Sequence, residues 1–132
     1  MTMDTNKYQL EYHRYLELKH FCRQYPIWKK AYTALDGLSR RPADLALFTK
    51  PNQTSDPTAR CAEACAAYSK KMGMVERCAK EASPELAQYI MSYVTKGDGY
   101  SVLKMRDHIP CPKDVFYDVV RKFFWLLNKV RD

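Results

Sequence analysis

Apolar side chains recur along this chain every three or four positions, the period of a helix face. In the first stretch, Tyr8, Tyr12, Tyr15 and Leu16 alternate with Lys7, Glu11, Arg14 and Glu17, which predicts a helix over 7–24. Tyr25-Pro26 predicts a break, because the residue before proline leaves helical space while proline suits the first turn of a new helix. Ile27, Ala31 and Leu35 then predict a short helix over 26–36, stopped at Asp36-Gly37. Residues 38–56 carry loop compositions, Ser39-Arg40-Arg41-Pro42 and Lys50 to Pro57, with room for one apolar turn at Leu45, Leu47 and Phe48.

The clearest helix opens at Asp56-Pro57, an N-cap acceptor followed by a proline with no N–H to satisfy. Cys61, Cys65, Tyr68, Met72, Val75 and Ala79 follow at spacings 4, 3, 4, 3 and 4, a seam of coiled-coil type through residue 82. Ser83-Pro84-Glu85 starts a further helix over 86–95, ended by Lys96-Gly97-Asp98-Gly99. A short helix over 100–108 and a tight turn at 109–112 lead to a last helix over 112–130. On it, Phe116, Val120, Phe123, Leu127 and Val130 share one face. Only 4 glycines occur, too few for the many tight turns of an all-β fold. The expectation is an all-α chain of five to six helices. Residues 1–132 form a single domain, with a helical pair and irregular linker in 1–56 and the long helix plus a helix-turn-helix in 57–132.

Residues 86–127 have the order and lengths of a C-terminal tri-helical helix-turn-helix, with Val102, Leu103 and Ile109 clamping the short helix onto the last. In that arrangement the last helix is the reading helix. Lys113, Tyr117 and Arg121 lie four apart in succession and form a nearly straight row on it. Lys113 and Tyr117 stand at the end that enters a major groove. Arg121 and Lys122, together with Lys104 and Arg106 on the short helix, are placed for backbone phosphates. Asp114 and Asp118 dilute the positive face.

Charge agrees with a polyanionic partner but is not concentrated. Lys and Arg total 22 against 15 Asp and Glu, a net charge of +7. It is spread as +3 over 1–56, +2 over 57–83 and +2 over 84–132. The 5 cysteines are odd in number and show no zinc-ribbon spacing, so Cys61, Cys65 and Cys78 are expected to be reduced, mostly buried and free of metal. No apolar run follows Met1–Lys7 and none is long enough to span a bilayer, so the expectation is a cytoplasmic protein without a membrane partner. Catalytic signatures are missing from the sequence: no glycine-rich phosphate loop, no zinc-protease motif and no nucleophile elbow. His13 and His20 share a face of the first helix, but read better as solvated or half-buried side chains than as a base or ligand pair. The expectation is a protein that is not an enzyme and needs no cofactor.

Residues 54–127 resemble the small phage and prophage late-gene transcriptional regulators of the RinA and ArpU type. The matching stretches are Thr54-Ser-Asp-Pro-Thr58, Tyr93-Val-Thr-Lys-Gly97, Tyr100-Ser-Val-Leu103, Ile109 to Tyr117, and Arg121-Lys-Phe-Phe-Trp-Leu-Leu127. The resemblance implies a module like sigma-factor region 4 that binds double-stranded promoter DNA and recruits host RNA polymerase. Small terminase subunits, which bind packaging-site DNA, share the general style.

A competing expectation is a protein-interaction module, an inhibitor or adaptor of a host complex. Trp28, Trp125 and 10 tyrosines exceed the needs of one small core, and aromatic residues with arginine are the usual anchors of interfaces. Trp125 lies off the Phe116 face, and the seam that includes Tyr68 and Met72 is a second surface able to pair across a two-fold axis in a homodimer. Either Trp125 is such an anchor, or the N-terminal helices cover it.

Overall fold

The computed structural model describes residues 8–39 and 57–131. The chain is all-α. Among the described residues, α1 (Tyr12–Arg23), α2 (Tyr25–Ser39), α3 (Pro57–Ala82), α4 (Ala87–Met91), a π-helical turn (Ser92–Lys96), α5 (Tyr100–Asp107) and α6 (Lys113–Arg131) follow one another with no strand. The apolar turn expected at Leu45–Phe48 lies outside the described residues. No described helix is long and apolar enough to cross a membrane.

By contact the chain forms two compact units: Met1–Tyr25 with Gly73–Asp132, and Pro26–Met72. The sequence reading takes one domain with an internal change near residue 56; the units instead divide in the first turn of α2 and partway along α3.

In the larger unit α1 begins at Tyr12, five residues later than its periodicity predicts. Glu11 is extended, at φ −60° and ψ 143°, and contributes no side-chain cap. Its carbonyl accepts the Tyr15 N–H at 2.9 Å. The buried stripe is Leu18, Phe21 and Cys22. Tyr12, placed on the apolar face by spacing, is exposed and meets only the edge of His13. The stripe therefore lies further along the helix than the tyrosines suggest, and the large aliphatic and phenyl groups take the interior.

Helix α6 supplies five buried side chains, Phe116, Val120, Phe123, Phe124 and Leu127. Four of these are the expected face. Phe124 is an addition, and Val130, expected on that face, is exposed at the helix's last turn. Helix α1 crosses α6 near its C-terminal half. There Tyr15 meets Phe124 edge to face at 5.1 Å, and the Arg14 Nε donates to Asn128 Oδ1 at 2.5 Å. Arg131 lies over the Phe21 ring at 4.3 Å and pairs with Glu17 at 3.2 Å. Val75, Cys78, Ala79 and Ala82 of α3, with Leu86, Ile90, Val94, Leu103 and Ile109, are buried in this unit as well.

The helix over 86–95 forms in two parts. Ser83 Oγ accepts the Leu86 N–H at 3.2 Å, which fixes its entry. After Met91 the chain widens into the π turn, which ends at Gly97 with φ 81°. Gly97 N–H donates to Tyr93 O at 3.0 Å. The positive φ favours glycine, and a Cβ there would also meet the Arg23 guanidinium at 2.7 Å, which that flexible side chain would have to move aside.

In the smaller unit the face of α2 is rotated by one residue from expectation. Trp28 is buried, at 3% exposure, and Ile27 is 66% exposed. The two are neighbours that fit the same stripe to within 100° of helix rotation. The indole has the greater apolar area to bury, and its ring also lies 5.7 Å from Lys71 Nζ. The helix does not stop at Asp36-Gly37 but runs to Ser39; an interior glycine costs only about 1 kcal/mol, so it is not an obligatory stop. The thiol of Cys61 donates to Leu35 O at 3.2 Å, tying α3 to α2. Along the predicted seam Cys61, Val75 and Ala79 are buried, whereas Cys65, Tyr68 and Met72 are half-buried.

Candidate nucleic-acid interface

The candidate surface is built from α5, the turn after it and the first half of α6. Leu103 is fully buried and Ile109 is 1% exposed, as the clamp requires. Val102, expected beside them, is exposed. Leu103 alone serves because an eight-residue helix turns only one narrow stripe inward. The turn is made by His108 in the left-handed region, at φ 53° and ψ 48°. The Ile109 N–H donates to Leu103 O at 3.4 Å, and the Tyr100 hydroxyl donates to Cys111 O at 2.6 Å, stapling the start of α5 to the entry of α6. Phe116 N–H closes the first turn of α6 on Pro112 O at 3.1 Å. Lys113, Asp114 and Val115 are left exposed there.

The predicted cations divide into two groups. Lys104 and Lys113 are exposed, and Lys122 is half-buried. Arg106 is exposed but held by Asp98 at 2.9 Å and by Asp107 at 3.0 Å. The hydrogen bonds to these carboxylates raise the Arg106 pKa further and lower that of Asp107. Arg121 Nη1 is bonded to Asp118 on the same helix. Local acids therefore take two of the five predicted cations as ion-pair partners, Asp118 holding Arg121 and Asp98 with Asp107 holding Arg106.

Tyr117 is half-buried, packed edge to face with Tyr93 at 5.7 Å and with Phe116 at 5.3 Å. It shares with Arg121 the wall of a pocket of about 510 Å³. Tyr8, Gln9 and Leu10, the segment before α1, form one side of the pocket; Tyr15 of α1, Tyr93 of the π turn, and Val120 and Phe124 of α6 complete it. The Tyr93 pKa is raised, chiefly by burial, then by the neighbouring phenols of Tyr15 and Tyr117 and a hydrogen bond with Tyr15. Apart from Tyr117 and Arg121, these pocket residues are not singled out as a site in sequence. The available signal was the tyrosine spacing itself, which reads equally well as a core face.

Of the predicted interface residues, Trp125 is already engaged. Trp125 is half-buried between Tyr8, at 5.3 Å edge to face, and Lys129 Nζ, 3.6 Å above its ring. The Tyr8 contact comes from the segment before α1 and not from an N-terminal helix, and it leaves the indole part-exposed. Tyr68 and Met72 belong to the smaller unit. Among the described residues no three His, Cys, Asp or Glu side chains group as metal ligands, and Cys22, Cys61, Cys65, Cys78 and Cys111 are free thiols.

Comparison of the chain with protein-family models, with curated proteins and with solved structures finds no match.

Proposed function

We propose that this chain is a DNA-binding protein, a phage- or prophage-type transcriptional regulator that offers the start of α6 to the major groove of double-stranded DNA. One observation carries the proposal. A short helix, a tight turn stapled by Tyr100 and His108, and a long helix follow in order, and the long helix begins with an exposed turn at Lys113. Reading helices enter the groove by that end. Lys104 and Lys113, free of the ion pairs that hold Arg106 and Arg121, are the first contacts to phosphate and base edge; Arg106, Arg121 and Lys122 follow where DNA displaces or shares their acids. A homodimer suits this role, because two half-sites repeat about one helical turn apart. Recruitment of RNA polymerase is the corresponding activating step.

The test is a titration of DNA fragments flanking the gene over a salt series. Log affinity should fall linearly with log salt, with a slope near −0.9 for each phosphate neutralised. A slope near zero overturns the proposal. The competing adaptor role then gains the ground, with the half-buried Trp125 already in contact with Tyr8.

A further inference from the structure

The pocket between the 8–10 segment, α1, the π turn and α6 shares Tyr117 and Arg121 with the proposed DNA surface, and its other lining residues have no part in groove contact as described above. Its volume of about 510 Å³ lies within the roughly 300–1,000 Å³ of small-molecule sites. We propose that it binds a small planar aromatic molecule bearing one anionic group, with the ring body between the tyrosines and the anion on Arg121.

Three features carry this. First, the wall rings are held from behind. Tyr15 rests on Phe124 at 5.1 Å, Tyr93 on Phe116 at 5.6 Å and Tyr8 on Trp125 at 5.3 Å, all edge to face. A ligand entering such a site finds side chains already ordered and loses less in fixing them. Second, the wall is aromatic and aliphatic with a single ionic side chain. Arg121 is the one Lys, Arg, Asp or Glu among the lining residues, and burial keeps the Tyr93 phenol protonated. Third, Asp118 engages Arg121 through Nη1 only, leaving the rest of the guanidinium fork without a partner among the described residues. A planar carboxylate matches that fork, whereas a neutral aromatic gains only the ring contacts. Asp118 stands beside the site as a like charge to the ligand, so the anion belongs on the side of the fork away from it.

The full-length protein, without DNA, is titrated with 2-naphthoate and with neutral 2-naphthamide while the tyrosine ring resonances are followed by NMR. Saturable one-to-one shifts are expected on Tyr15, Tyr93 and Tyr117, with naphthoate at least ten-fold tighter than naphthamide. Arg121→Gln, a surface change, should remove that preference. Asp118→Asn removes the competing carboxylate and should tighten naphthoate alone. Absent or non-saturable shifts, shifts centred outside the pocket, equal affinity for the two probes, a preference that survives Arg121→Gln, or weaker naphthoate binding by Asp118→Asn each overturns the proposal. Because no DNA is present, these results stand whether or not α6 meets a groove.

Discussion

The ring of Tyr8 meets the indole of Trp125 edge to face, with centroids 5.3 Å apart and planes at 68°. Residues at opposite ends of the chain are joined by this contact, and it turns a side chain suited to anchoring a partner into one occupied within the fold. Aromatic pairs of this geometry contribute about 0.5–1.5 kcal/mol beyond area burial. A double-mutant cycle of Tyr8→Ala and Trp125→Ala, read by urea unfolding, should return a coupling energy in that range. Strict additivity would remove the contact from the account of α6.

Gly97 is the second point where the fold can be tested directly. Its φ of 81° excludes an unstrained side chain, and a Cβ there meets the Arg23 guanidinium at 2.7 Å. Gly97→Ala should destabilise by about 1–2 kcal/mol from the backbone alone. Clearing the clash with Arg23→Ala should recover only the part that exceeds this.

The rotated faces of α2 and α5 make a paired prediction. Trp28→Ala should cost about 3–5 kcal/mol and Leu103→Ala about 2–5 kcal/mol. Ile27→Ala and Val102→Ala, at the exposed neighbours, should stay within about 0.5 kcal/mol of the parent in urea unfolding.

Two buried thiols give the protein an alkaline liability. Burial pushes Cys22 up to about 12 and Cys78 up to about 11, from 9.0. Both are neutral in the folded state at a pH where the unfolded chain already ionises. Their contribution is thus complete below pH 9 and is lost as pH rises from there toward 11 and 12. Unfolding free energy should fall as pH rises from 9 toward 11, and the fall should be shallower in Cys22→Ala than in the parent. At pH 8 both thiols should resist iodoacetamide until urea unfolds the chain.

For DNA, the ion pairs separate residues that sequence treats alike. Lys104→Ala should weaken binding to all sequences and reduce the salt slope by about one unit. Arg106→Ala should change it less, since Asp98 and Asp107 already hold that guanidinium. Tyr117→Ala should narrow the gap between specific and random DNA by about 1–3 kcal/mol if its ring edge reaches a base. Equal behaviour of Lys104 and Arg106 variants across the salt series would remove this ranking.

Local chemistry in the chain was sufficient for the helices themselves. The break expected at Tyr25-Pro26 falls earlier, at Gln24, with Tyr25 already helical, but Pro57 opens α3 and Gly97 ends the π turn. Each depends on the backbone preferences of one or two residues, which are present before any packing. The inward face of α6 was legible too, because Phe116, Val120, Phe123 and Leu127 repeat over several turns and fix the direction of the stripe. Short helices do not average in this way. Between Ile27 and Trp28, or for Val102 beside Leu103, a rotation of one residue separates core from surface, and only the packing partner selects it. The contacts that shape the candidate sites are non-local. Arg14 reaches Asn128 across 114 residues, Tyr8 leaves the helical path to cover Trp125, and Arg121 acquires both Asp118 and a tyrosine-lined pocket wall. Such pairings carry no periodic signature, because they depend on where separate helices cross, and that is settled by tertiary packing.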